Sequence, residues 1–371
     1  MNHKLCAMAI VGVCIPALEV EATAYKATLL HPANFDSSGA TSAFGAFQVG
    51  SGAPSNANRH ALLWSGTPSS VVDLNPSGFI MSYATGISSS TQSGYGSGSA
   101  TGGNNHALLW SGSANSVVDL NPAGFLRSAV YAASGNFQAG YSDINTDGLT
   151  HAFLWNSTAA SGVDLHPSGF ASSEADGISG VSQVGQGYQL ASNAYHALLW
   201  RGTAASVIDL NPLGFFTSEA VAATDSNQVG QASGLSTGFY AHAMLWQGTA
   251  ASVVDLNPAS FEQSHATGIR GTNEVGWGEG PTTGGYYHAM MWTGSASSAV
   301  DLHSYLSDLG ISALSSIALG ISDNGDIVGY AEDSFARPYA VLWSPTVPEP
   351  TSAILFVCGL SFAPLTRIRR V

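Results

Sequence analysis

Histidine and aspartate recur in this chain at regular intervals, and a His–carboxylate pair is the working unit of acid–base catalysis and a common source of metal ligands. His60, His106, His151, His196, His242 and His288 each open a segment that closes on a tryptophan. Asp73, Asp119, Asp164, Asp209, Asp255 and Asp301 each lie in the segment that follows. Catalysis needs one constellation that differs from its surroundings, whereas these are six equal copies. The pattern therefore predicts a structural role, each His hydrogen-bonding inside its own repeat to satisfy a half-buried polar group. No catalytic residue is assigned among them.

Groups outside the repeated positions are the better candidates for chemistry. Glu174, Asp176, Glu219, Glu262, Glu274 and Glu279 are such carboxylates. A glycan-active hydrolase or lyase would gather unlike carboxylates at one mouth of its scaffold, about 5 to 10 Å apart, and a display module would leave them scattered. Tyr95, Tyr188, Tyr240, Trp277, Tyr286 and Tyr287 could stack on sugar rings or serve in packing. The run Asp143 to Gly148 has the oxygen spacing that opens a calcium loop, with Asp143, Asn145 and Asp147 as ligands. Leu154 stands where the twelfth position of such a loop carries Glu, and the same residues are also ordinary turn chemistry.

The elements that must hold these residues are written in a repeat. Trp64, Trp110, Trp155, Trp200, Trp246, Trp292 and Trp343 end the recurring segment at spacings of 46, 45, 45, 46, 46 and 51 residues. Within each period, four short strand candidates alternate with Gly, Ser, Asn and Pro. In the second period they are Ala84–Ile87, a segment around Gln92–Gly94, His106–Trp110 and Val117–Leu120. Four strands in about 45 residues is the size of one propeller blade. The expected fold is all-β, a seven-bladed β-propeller of four-stranded blades.

Closure of the ring can be read from two orphans. The Asp-bearing fourth strand appears six times after a Trp-ending strand, while the last such strand, up to Trp343, has no successor. A relative of the fourth strand, Leu29-Leu30-His31-Pro32, stands alone near the start. Pairing the two supplies the missing outer strand, and puts Leu29 and Tyr339 in the one blade that lacks both the His and the Asp. In the strand itself, His60, Leu62 and Trp64 share one face and Ala61 and Leu63 the other. Small and large faces of this kind suit layered packing between sheets. The turns after the fourth strand, such as Asn75-Pro-Ser-Gly-Phe79, combine a ladder-stopping Pro, a permissive Gly and a Phe that re-enters between blades.

The two ends carry different information. Met1 to Ala24 has the layout of a secretory signal: Lys4, an apolar run from Leu5 to Leu18, then small residues before Tyr25, with cleavage expected after Ala24 by signal peptidase. Near the other end, Pro348-Glu349-Pro350 is followed by an apolar stretch, Ala353 to Leu365, and by Arg367, Arg369 and Arg370. The three expected regions are thus a signal peptide (1–24), the propeller (25–344) and a tail (345–371). Cys6, Cys14 and Cys358 all fall in the outer two, so thiol chemistry and disulfides are excluded from the propeller. Between Tyr25 and Ser344 six basic residues face 21 acidic ones, the chain's 24 less Glu19, Glu21 and Glu349, for a net charge near −15. Such a surface repels phosphate backbones and anionic lipid, which excludes nucleic acid as a partner and leaves membrane contact to the tail alone.

The tail resembles the PEP-CTERM sorting signal, and this resemblance implies processing by an exosortase with the basic end on the cytoplasmic side. The repeat resembles the HAF family of extracellular repeats: His151-Ala-Phe-Leu-Trp155 matches its strand, and Gly320-Ile-Ser-Asp-Asn-Gly-Asp-Ile-Val-Gly329 its glycine-rich segment. That likeness implies export and repetition and brings no activity with it. Together they point to a protein exported to the envelope, outer surface or extracellular matrix of a bacterium. There the propeller would act as a display or binding module for polysaccharide or surface-protein partners, with a glycan-active enzyme as the alternative.

Overall fold

Alternation of small and large side chains along one short strand decides how the sheets stack. In His60–Trp64, Ala61 and Leu63 point to one side and pack on Ala84, Ile87, Leu108 and Trp110 of the following blade. Leu62 and Trp64 point to the other side and pack on Val328, Ala340 and Leu342. The same arrangement recurs around the molecule, so each interface takes the Leu/Trp face of one sheet and the Ala/Leu face of its neighbour. The seven repeat tryptophans have no exposed surface. Burial of an indole on this scale is worth about 4–6 kcal/mol per residue before ordering costs.

The computed structural model describes residues 24–55, 57–143 and 149–346. The expected signal peptide, Ala24 aside, lies outside the described residues, as do Asn145, Asp147 and the sorting motif Pro348, Glu349, Pro350, Arg367, Arg369 and Arg370. Tyr25–Pro345 form one compact unit. In it seven four-stranded antiparallel sheets make a seven-bladed β-propeller. The second blade consists of Phe79–Ser88, Thr91–Gly98, His106–Trp110 and Val118–Asp119, innermost strand first. Short 3-10 turns such as Pro68–Ser70 join third and fourth strands, and a longer one, His303–Leu309, accounts for the wide last tryptophan spacing. No helix among the described residues is long and apolar enough to cross a membrane.

The ring closes through the two orphan strands. The seventh sheet has the order Ala24–Leu29, Pro338–Thr346, Ile327–Glu332, Ser315–Ile321, so the first described strand is the outer strand of the last blade. Leu30 N donates to Ala340 O at 2.8 Å, and Leu30 and Leu342 share one apolar cluster with Trp64 of the first blade.

One irregularity is common to every blade. The innermost strand slips by one residue against its partner after a buried residue, alanine in six blades and Val130 in the third, skipping Thr41, Thr85, Tyr131, Asp176, Val221, Thr267 and Leu319 in turn. A bulge re-aims the extra residue and increases the local twist. It also crowds the neighbouring strand: at Gly50, Gly94, Gly140, Gly185, Gly230, Gly276 and Gly329 an added Cβ would overlap a carbonyl oxygen of the inner strand. The recurrent Val-Gly of the second strand is therefore a clearance requirement.

Candidate functional site

The six repeated His–Asp pairs form as hydrogen bonds within their own blades. Nδ1 of His60, His106, His151, His196, His242 and His288 lies 2.7–2.9 Å from Oδ2 of Asp73, Asp119, Asp164, Asp209, Asp255 and Asp301. The other oxygen of Asp73 accepts from Asn75 N at 2.8 Å and so ties the pair to the turn that leads into the next blade. Asn75 Oδ1 accepts in turn from Ser82 Oγ (2.7 Å), and Ser82 Oγ accepts from Ala61 N (3.0 Å). A polar stitch thus runs from one blade into its neighbour.

Its centre is a buried serine present in all seven blades: Ser38, Ser82, Ser128, Ser173, Ser218, Ser264 and Ser316. Each takes the backbone N–H of the preceding blade's alanine. The partner on the turn is Asn in four blades and His31, His166 or His303 in three. Both Asn Oδ1 and an unprotonated His Nδ1 can accept from a serine hydroxyl, which explains the Asn/His alternation. Burial lowers the pKa of all three histidines, and the adjacent His151 and His288 lower His166 and His303 further. His151 and His288 stack on these rings at 3.8 and 4.0 Å, and Tyr339 packs edge-on against His31 at 4.8 Å in the clasped blade. The repeat polar residues are thereby consumed in architecture.

Variation is confined to the residues that frame this serine. Six of the seven inner strands read Ser-x-Ala-x and the third reads Ser128-Ala-Val-Tyr131; the last of these four positions is the bulge. All seven bulge residues line a central cavity of about 870 Å³. Three are threonines, Thr41, Thr85 and Thr267, whose hydroxyls bond across to the next blade at 2.7 Å. The fourth blade has Asp176 there, with Glu174 at the first variable position, and the fifth has Glu219 at that same first position. All three carboxylates face the cavity beside Tyr131 and Gln186.

The electrostatics of this wall are unusual. Asp176 Oδ2 is sealed from solvent with no hydrogen-bond partner. Burial, then the charges of Glu219 and Glu174, push its pKa well above the ordinary carboxylate range. Glu174 is also raised, chiefly by burial and secondly by Glu219 and Asp143, against the hydroxyls of Thr150 and Tyr131 that hydrogen-bond it. Gln231 Nε2 donates to Glu219 Oε2 at 2.8 Å.

Aromatic residues pair across the first two strands of several blades, and of these Tyr131 lines the cavity. Tyr83 pairs in register with Tyr95 and stacks on it at 4.9 Å, and His265 pairs with Trp277 and stacks at 4.4 Å. Tyr287 leans on Trp277 at 4.6 Å, and Tyr131 on Tyr141 at 5.6 Å. Burial lowers the pKa of His265 to about 4, so this ring is neutral at ordinary pH, and raises Tyr95 to about 12.

Of the carboxylates singled out in the sequence, the structure gathers Glu174, Asp176 and Glu219 and disperses the others. Glu274, expected near the channel, instead stands where five other blades have Gln, and like them accepts the backbone N–H of the following turn, from Gly294 at 2.7 Å. Residue alternation puts it on the packed face of the second strand, where a buried acceptor is required. Glu262 and Glu279 meet through their backbones, away from the cavity. Among the aromatic candidates, Tyr95, Trp277 and Tyr287 join the ring pairs, Tyr188 contacts Tyr195, and Tyr240 and Tyr286 are exposed. Asp143, the first calcium candidate, is buried and ion-paired with Arg127 Nε at 2.5 Å. Asn145 and Asp147 lie outside the described residues, and among those described no three His, Cys, Asp or Glu side chains converge as metal ligands. Tyr131 and the serine stitch were not singled out in the sequence; superposing the repeats on Ser-x-Ala-x, rather than on the tryptophans, displays both.

No protein-family model matches the chain, and no curated protein matches it. Among solved structures it is similar to a puromycin hydrolase, at 11% identity and a TM-score of 0.57, over 88% of this chain and 58% of that one. It is similar also to a puromycin-hydrolyzing peptidase of Mycobacterium tuberculosis, at 12% identity and a TM-score of 0.56, over 90% of this chain and 58% of that one. A third is the β-propeller domain of the Trilobed protease from Pyrococcus furiosus, at 8% identity and a TM-score of 0.52, over 87% of this chain and 99% of that domain. That domain is described as having an open velcro topology. The chain spans little more than half the length of the two hydrolases, and at these identities the likeness is one of fold.

Proposed function

We propose that this protein is an exported propeller that binds carbohydrate in its central channel, acting as a display or binding module at the bacterial surface or in the extracellular matrix. The observation that carries the reading is where the repeats differ. Serine, glycine and tryptophan positions are held for packing, while positions free to vary put Tyr131, Glu174, Asp176, Gln186 and Glu219 on the channel wall, and ring pairs such as His265–Trp277 stand at the position of Glu174 in other blades. Sugar rings offer an apolar face to aromatics and hydroxyls to carboxylate and amide groups, which is the chemistry this wall presents. Export and sorting rest on the leader and on the resemblance of the tail to exosortase substrates. A screen of the purified chain against an array of glycans should give channel-dependent binding that Trp277→Ala and Glu219→Gln weaken. A blank array would refute the reading and point to protein partners. Secretion predicts a mature N-terminus at Tyr25, read by mass spectrometry of the exported protein.

One observation favours a second reading, a glycan-active hydrolase or lyase. Asp176 and Glu174 have raised pKa values beside a third carboxylate, Glu219, and a general acid with its proton affinity raised next to a partner carboxylate is what such an enzyme requires. Release of reducing ends or unsaturated products from a bound glycan, abolished by Asp176→Asn, would establish it. Binding without turnover would leave the module.

A further inference from the structure

Among the described residues no cation is ion-paired with Glu174, Asp176 or Glu219, and the one arginine that lines the cavity, Arg270, is paired with Asp323. Arg127 pairs with Asp143 and Arg337 with Asp333, while Arg59 and Arg201 bond serine oxygens. Asp176 sits on the bulge of its strand, so the backbone itself aims the side chain at the cavity, and its Oδ2 is buried without a donor. A buried carboxylate oxygen left unpaired is destabilising, and more so when charged. In the other blades this position is filled mainly by threonines that satisfy themselves on the neighbouring blade or by apolar residues. The fourth blade alone places a carboxylate there, between Glu174 of its own strand and Glu219 of the next.

Such a site needs a positive donor from outside. A divalent metal fits poorly, because no three acidic or imidazole groups converge at ligand geometry among the described residues. An anion would be repelled. A cavity of about 870 Å³ has room for an organic group that carries its charge on an ammonium with several N–H donors. We infer that the Glu174–Asp176–Glu219 wall is the seat of the ammonium group of an amino sugar, so that the channel prefers saccharides with free amines over their N-acetylated forms. This rests on the carbohydrate reading above and names the class of saccharide. The binding step moves one proton: with the wall empty, burial and then the charges of Glu219 and Glu174 favour the protonated form of Asp176, and the arriving ammonium displaces that proton to solvent. The titratable groups facing Asp176 are Glu174 on its own strand, Glu219 from the fifth blade and Tyr131 from the third, with Asp143 acting at Glu174.

The test uses the full chain and two probes, the trimer of glucosamine and the trimer of N-acetylglucosamine, in titration calorimetry at about pH 6.5, where a sugar amine is charged. The glucosamine trimer should bind at least roughly tenfold more tightly, the size expected for one hydrogen bond to a charged group. Its binding enthalpy should change with the ionisation enthalpy of the buffer, as proton release requires. Asp176→Asn and Glu219→Gln should each lower this preference about tenfold, the glucosamine trimer losing more affinity than the acetylated trimer, with thermal unfolding confirming the fold. Should one variant not fold, the other and the buffer dependence still decide. Equal binding of both trimers, or a preference that survives both substitutions, overturns the amino-sugar assignment and leaves the carbohydrate reading intact. Failure of both trimers and of every other glycan overturns both.

Discussion

Replacing Ser218 by alanine removes one stitch of the ring and tests whether the blades are joined as described. Ser218 is 2% exposed; its Oγ accepts from Ala197 N at 2.9 Å and donates to Asn211 Oδ1 at 2.7 Å. Ser218→Ala leaves Ala197 N buried and Asn211 Oδ1 half-buried without this bond, and at about 1–3 kcal/mol for a fully buried group and less for the other, a loss of about 2–5 kcal/mol is expected. At about 2.1 cal/mol/K per residue, the unit Tyr25–Pro345 has an unfolding entropy of about 0.7 kcal/mol/K, which converts that loss to a fall of about 3 to 8 °C in Tm. Near-UV circular dichroism follows the transition, because the seven repeat tryptophans are buried at blade interfaces. Ser69→Ala is the matched control: the residue is exposed and should change stability by less than about 0.5 kcal/mol. If Ser218→Ala unfolds within about 1 °C of the parent, the serine is not a joint and the account of the Asn/His alternation fails with it.

Acid should weaken the three histidine stitches: their folded pKa values lie below the unfolded value of about 6.5, so their contribution is complete above that pH and is lost as pH falls towards the depressed values. The double variant His166→Asn, His303→Asn should therefore lose less stability than the parent between about pH 6.5 and 5 in urea titrations, and parallel losses would refute the role. Leu30→Ala should cost about 2–5 kcal/mol, matching Leu120→Ala at the equivalent internal position, since both side chains are fully buried; a much smaller effect at Leu30 would mean that the first strand is not integral to the ring. Gly185→Ala forces a Cβ into the carbonyl oxygen of Glu174 and should destabilise by about 3 kcal/mol or more while disturbing the bulge that carries Asp176, visible as lost binding before lost folding in mild denaturant.

What was legible in the residues themselves was everything set by local order. Period, strand alternation and the Pro-Gly turns repeat along the chain, so the blade count, the size of each blade and its two packing faces follow from spacing. The pairing of Leu30 with the strand ending at Trp343 was also accessible, because a ring must leave complementary orphans at its ends. The identity of the site was not. Asp176 and Glu274 are alike as unrepeated carboxylates in strands, yet one lies on a bulge facing the cavity and the other takes an N–H on a packed face. That difference arises from a one-residue slip in register, invisible in composition, which turns a side chain to the opposite side of its sheet. The gathering of Glu174, Asp176 and Glu219 likewise depends on adjacent blades meeting around one axis. Closure of the sheets into a ring, rather than any single segment, brings their charges together and raises the two that are most enclosed.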